Sequence, residues 1–169
     1  MKALSGRKGL WRFAAAWLAA GVARAAEGFA VEEDPAAGSY PITERGRPVL
    51  TYHFASVPVP AGVTGKYAVA RSDYVHPLYG PEGELLTQDF SPDHPHHRGL
   101  YWAWPEVTWK GETRDLHALQ GVFARPVRMA RHEVAGGCAV LEAENVWKWG
   151  DAEPVAGERA TISDAPQKD

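Results

Sequence analysis

An all-β fold, an antiparallel β-sandwich behind a short helical signal segment, is what three features of this 169-residue chain predict. Apolar and polar residues alternate in several short runs, and 13 prolines and 17 glycines punctuate those runs. No stretch after residue 26 has the three-to-four-residue spacing of a long amphipathic helix. Strands broken by turn residues at irregular intervals favour a sandwich over a helical or α/β fold.

The chain opens with Lys2, Arg7, Lys8 and Arg12 and has no acidic residue before Glu27. An apolar run, Phe13 to Val22, follows, and then Ala23-Arg24-Ala25, the small-x-small pattern that signal peptidase reads. A spanning helix needs about 20 apolar residues, and this run is half that. Residues 1–25 therefore read as a cleavable signal peptide, residues 26–163 as the β-sandwich domain and residues 164–169 as a polar tail, so the expected location is periplasmic or secreted. Removing the signal leaves 144 residues with 13 basic and 21 acidic side chains, a net charge of −8. That balance argues against nucleic acid as a partner, since phosphates need a basic footprint. No later segment is long and apolar enough to cross a bilayer, so no membrane association is expected after cleavage. Cys138 is the single cysteine, which excludes an internal disulfide, and it reads as a small buried hydrophobe.

In Val49–Phe54, Leu50, Tyr52 and Phe54 share one face of a predicted strand, while Thr51 and His53 share the other. Gly99–Trp104 reads as an aromatic strand buried for part of its length. Val127–Val134 and Cys138–Trp147 read as a hairpin across Ala135-Gly136-Gly137, because Gly-Gly accepts the positive φ values of tight hairpin turns. Gly157–Ile162 begins like a further strand at a sheet edge, or marks a fragment of a longer β protein.

The densest chemistry is Asp93-His94-Pro95-His96-His97-Arg98. In an extended segment His94 and His96 point one way and His97 the other. Two imidazoles two residues apart can reach one transition metal, Zn, Cu or Fe, so His94 and His96 are the candidate metal ligands. Imidazole is equally a general acid/base near neutral pH, so His96 and His97 are candidate catalytic groups. Arg98 is suited to clamping a carboxylate of the substrate or stabilising an oxyanion, and Asp93 to orienting a histidine, so both join the candidate catalytic groups. His76 is the best partner from outside the cluster, and Trp102 and Trp104 suit a platform for a sugar ring. His53, His117 and His132 lie in plain strand patterns and read as structural.

His76-Pro-Leu-Tyr-Gly-Pro-Glu-Gly83, Leu86-Thr-Gln-Asp-Phe90, Asp93–Leu100 and Trp102-Ala-Trp104 together resemble an exported bacterial family of unknown function. That family is labelled methane oxygenase subunit-like (PmoA-like). The resemblance covers roughly residues 40 to 163, and the His-Pro-His-His-Arg run is its most specific part. It implies members about twice this length, and so a second half beyond this chain. The same pieces are similar to aldose-epimerase-like supersandwiches, which act on sugars with a histidine acid and a carboxylate base. Three functions therefore stay open. The first is a carbohydrate-active or carbohydrate-binding sandwich, and the second a metal-dependent Cu or Fe oxidoreductase. In the third, a non-catalytic module, the histidines only rigidify a loop. The expected ligand is a carbohydrate or another small molecule.

Overall fold

The computed structural model describes residues 28–166, so the signal peptide expected over residues 1–25 lies outside the described residues. Every regular element among the described residues is a β-strand, and every strand pairing is antiparallel. Strands β1 (Phe29–Val31), β2 (Ser39–Glu44), β3 (Arg47–His53) and β4 (Tyr74–Leu78) form a four-stranded meander. A short hairpin, β5 (Val107–Trp109) and β6 (Glu112–Arg114), follows. The long strands β7 (Val122–Ala135), β8 (Cys138–Trp149) and β9 (Glu153–Asp164) form a three-stranded sheet.

The two larger sheets bury their apolar faces against each other. Along β8 the alternate residues Ala139, Leu141, Ala143 and Asn145 are buried. The first three pack with Phe29, Tyr40, Ile42, Leu50, Tyr52 and Val75 of the four-stranded sheet in one cluster. The outer face of the three-stranded sheet is charged instead. Arg128, Glu144 and Arg159 lie in register across β7, β8 and β9, with Arg128–Glu144 and Arg159–Glu144 ion pairs of 2.6 and 3.2 Å. Exposed pairs of this kind contribute about 0–1 kcal/mol each; their stronger effect is to mark which face turns to water. A second apolar cluster, Leu116, Leu119, Val122 and Ala124, packs against Trp147 and Trp149.

The predicted hairpin forms across Gly136-Gly137, whose φ values are 60° and 81°, and it is longer than the pattern suggested at both ends. β9 includes the predicted Gly157–Ile162 strand at the sheet edge and runs to Asp164, one residue into the expected tail. Gly99–Trp104 is a correction: it is not a strand. Only Leu100 pairs, exchanging hydrogen bonds of 2.8 and 3.0 Å with Val75, and Leu100 and Trp102 are exposed. Aromatic alternation predicts a strand only where a second strand lies alongside, and among the described residues none does beyond Leu100.

Three consecutive buried residues, Arg71-Ser72-Asp73, strap the sheets together. Ser72 Oγ donates to the Ala124 carbonyl of β7 at 3.0 Å, and the Asp73 amide donates to the His53 carbonyl of β3 at 2.8 Å. Asp73 Oδ1 accepts a 2.7 Å bond from Tyr52, and Trp147 Nε1 donates to Glu158 on β9. Burial, reinforced by the neighbouring Asp73 carboxylate, pushes the Glu158 carboxyl up to about 7 from 4.5. The fold therefore holds this proton more tightly than the unfolded chain does. The resulting stabilisation is fully present below pH 4.5 and is lost as the pH rises through about 7. Glu158 is half-buried, and solvent screening limits the effect to about 1–2 kcal/mol. Denaturant unfolding at pH 5 and pH 8 should show wild type losing that much relative to Glu158→Gln. Parallel pH profiles for the two proteins would contradict the assignment.

Candidate functional site

The histidine cluster stands on a loop whose ends are tied together from below. Asp89 and Arg98 form an isolated antiparallel bridge, and the Gly99 amide donates to the Gln88 carbonyl at 2.8 Å. The Arg98 side chain is completely buried under this loop. It forms a close ion pair with Asp89, donates to the Tyr74 hydroxyl at 2.8 Å, and lies 3.5 Å from the Phe90 ring centroid. Gly99 is required where the chain leaves the bridge. Its φ is +73°, and a Cβ there would fall 2.2 Å from the Val75 carbonyl oxygen.

Between these anchors the backbone turns rather than extends: the His94 amide bonds the Ser91 carbonyl and the His97 amide bonds the His94 carbonyl. The alternating-face expectation is thereby corrected. The turn folds His94 back over His97, with rings stacked at 4.9 Å, and His96 stands edge-on to His97 at 4.5 Å. A second segment supplies the ring that the strand pattern concealed. His117 lies 5.3 Å from His96 and 5.5 Å from His97. One ring nitrogen from each of His96, His97 and His117 lies within 4.8 Å of the other two.

His117 is held from every side. Its amide donates to the Trp104 carbonyl at 3.0 Å, its own carbonyl accepts from Arg71, and its Nε2 bonds the Tyr101 hydroxyl at 3.0 Å. Arg71 is buried, which pushes its guanidinium down to about 10, and it stacks 3.9 Å from the centre of the Tyr101 ring. The signal for this loop was local: Asp115 Oδ1 accepts from the Ala118 amide, a turn in which the aspartate side chain caps the backbone, where the sequence read a strand. Nothing in the sequence placed Arg71 or Tyr101 beside the histidines.

The remaining candidate residues are dispersed. Arg98 is corrected from a substrate clamp to a buried anchor. Asp93 is exposed and forms no hydrogen bond or ion pair with a histidine, so it orients none of them. His94 stacks on His97 but stands outside the group of three converging nitrogens, which His96, His97 and His117 supply. His76 lies behind the loop, with Nδ1 on Thr87 Oγ1 at 3.0 Å. Thr87 itself lines an open groove of about 450 Å³, walled also by Leu86, Gln88, His97, Tyr101 and His117. Trp102 is 71% exposed and stands edge-on to Trp104 at 5.6 Å, and Trp104 packs on Trp147. A larger groove of about 700 Å³, lined by Arg45, Arg47, Tyr79 and Asp164, contains no histidine.

Burial lowers His96 and His97 from the ordinary 6.5, and the neighbouring imidazoles push the same way; Arg71 adds to the effect on His97. The rings are thus neutral, with lone pairs free, at neutral pH. His96 Nδ1 is buried and has no hydrogen-bond partner. Three nitrogens bound tetrahedrally at about 2.0–2.1 Å stand roughly 3.3 Å apart. The three nitrogens, within 4.8 Å of one another, lie near that spacing, and imidazole donors suit a transition-metal ion.

These features define an all-β, antiparallel sandwich carrying a three-imidazole cluster at the end of an open groove. Residues 39–169 match a family of unknown function (DUF6807), and the chain belongs to that family. Neither the curated proteins nor the solved structures compared with it contain a match.

Removing Arg98 and removing the histidines should have opposite consequences. Arg98→Leu strands the Asp89 carboxylate and should cost about 3 kcal/mol or more. His96→Ala and His97→Ala should each change stability by less than about 1 kcal/mol. Thermal melts of the three variants check this, and a large loss in either histidine variant would make the cluster a structural element.

Proposed function

We propose that this chain is an exported β-sandwich protein that binds a transition-metal ion through His96, His97 and His117, beside a groove for a carbohydrate or similar small polar ligand. The observation that carries the reading is the convergence of three imidazoles from two separate segments, two of them with their basicity lowered by burial. Three nitrogen ligands leave a position open to water or substrate, which is the arrangement of catalytic rather than closed structural sites. Imidazole donors suit Zn, Cu or Fe. Such an ion would polarise a bound oxygen or activate a water, and with Cu or Fe it would supply the redox chemistry that the methane oxygenase-like label implies.

The protein's own part is to orient the ligands. With Nε2 of His117 engaged by the Tyr101 hydroxyl, Nδ1 is the nitrogen left for an ion. Arg71 fixes both partners, through the Tyr101 ring and the His117 carbonyl. The carbohydrate part of the reading is supported by the perpendicular, solvent-facing Trp102–Trp104 pair, since an exposed indole face offers a sugar ring an apolar platform. A second reading keeps the same groove without a metal, with His96 and His97 as the acid and base on a sugar. Export is supported by the basic, apolar and small-x-small series over residues 2–25.

Isothermal titration with Zn²⁺ or Co²⁺ should give one equivalent per chain, and His117→Ala should weaken it at least about 100-fold. His53→Ala, outside the cluster, should leave it unchanged. Absence of saturable binding by wild type would remove the metal and leave the acid/base reading. Affinity electrophoresis in polysaccharide gels tests the other half. Trp102→Ala should abolish retardation without altering metal content, and an unretarded wild type across neutral and acidic glycans would remove the carbohydrate.

A further inference from the structure

A second polar cluster lies inside the sandwich, away from the groove. Asp73 reaches it from the strap, Asn145 from β8 and Glu158 from β9, while Tyr52 approaches from the opposite sheet. Asn145 and Glu158 are register partners on neighbouring strands, so their side chains share the inward face. Each carboxylate has one donor, Tyr52 for Asp73 and Trp147 for Glu158, and neither forms an ion pair with a basic residue among the described residues. Arg71, the cation coupled to Asp73, spends its guanidinium on the carbonyls of Leu116 and His117.

Asn145 is the observation that separates the explanations. It is 3% exposed; its amide nitrogen turns to the Tyr52 hydroxyl, and its amide oxygen has no hydrogen-bond partner. A proton shared between the two acids relieves their repulsion and leaves the Asn145 oxygen unsatisfied. A cation relieves the repulsion and takes that oxygen as a ligand. We propose that Asp73, Glu158 and the Asn145 amide oxygen, with the Tyr52 hydroxyl at their side, form a second cation site, for a hard divalent ion of the calcium class. The donor set is all oxygen, which selects against the metals that imidazole prefers. Calcium tolerates irregular coordination and completes it with water, and the half-buried Glu158 on the edge strand provides the way in. The expected affinity is that of extracellular calcium modules, about 10⁻⁴–10⁻³ M. This site is independent of the histidine cluster and stands or falls without it.

Terbium is the probe, because it replaces calcium and is excited through a nearby indole, here Trp147 on Glu158. Full-length chain stripped with chelator should give tryptophan-sensitised terbium emission that calcium displaces, and millimolar calcium should raise its melting midpoint by about 5 °C. Glu158→Gln keeps the shape and the Trp147 hydrogen bond, and should lose both effects. Asn145→Asp, which adds a charged oxygen at the same position, should strengthen calcium competition several-fold. His117→Ala should leave the emission intact. No sensitised emission from wild type, or emission undiminished in Glu158→Gln, would overturn the site and leave the two acids sharing a proton. If Glu158→Gln fails to fold, the Asn145→Asp competition decides: an unchanged calcium midpoint overturns the proposal.

Discussion

The buried ion pair between Arg98 and Asp89 is the constraint on which the histidine loop depends. A guanidinium taken wholly out of water is costly, and the cost is met only by its carboxylate, the Tyr74 hydroxyl and the flanking aromatic faces. With both loop ends tied at that point, the eight residues between must turn, and the turn carries His94, His96 and His97 together. An arginine adjacent to three histidines thus acts from beneath them. Its role is to hold the geometry in which the rings can share a ligand.

The Arg71–Asp73 strap couples this loop to the rest of the sandwich. Arg71 faces the His117 loop and the Tyr101 ring, Ser72 ties to β7, and Asp73 faces the interior acids. Three consecutive side chains therefore serve the groove, the sheet and the buried polar cluster in turn. Such a segment carries no regular hydrogen-bond ladder of its own. It stays ordered because each buried polar atom it brings inside meets a partner, apart from Arg71 Nε. The inner row of β8 is apolar at both ends, Ala139–Ala143 at one and Trp147 and Trp149 at the other, with the polar Asn145 between them, while Arg128, Glu144 and Arg159 charge the outer face.

The all-β class, the Gly136-Gly137 hairpin, the inward row of Leu50 and Tyr52 and the crowding of imidazoles near residue 96 were all determined by the sequence alone. Each is a local property: period-two alternation reports which face of its own strand a residue occupies, and paired glycines report a backbone that other residues avoid. What only the tertiary structure decided is which distant segments meet. His117 sits twenty residues beyond His97 in a pattern that read as strand, and Arg71 and Tyr101 carry no mark of their roles. Arg98 read as a surface clamp because charge ordinarily seeks water, yet Asp89, nine residues earlier, makes burial tolerable. Gly99–Trp104 read as a strand because alternation does not say whether a neighbouring strand exists to pair with it. Faces follow from spacing along the chain, whereas sites follow from long-range closure, and closure depends on partners that no window of sequence contains.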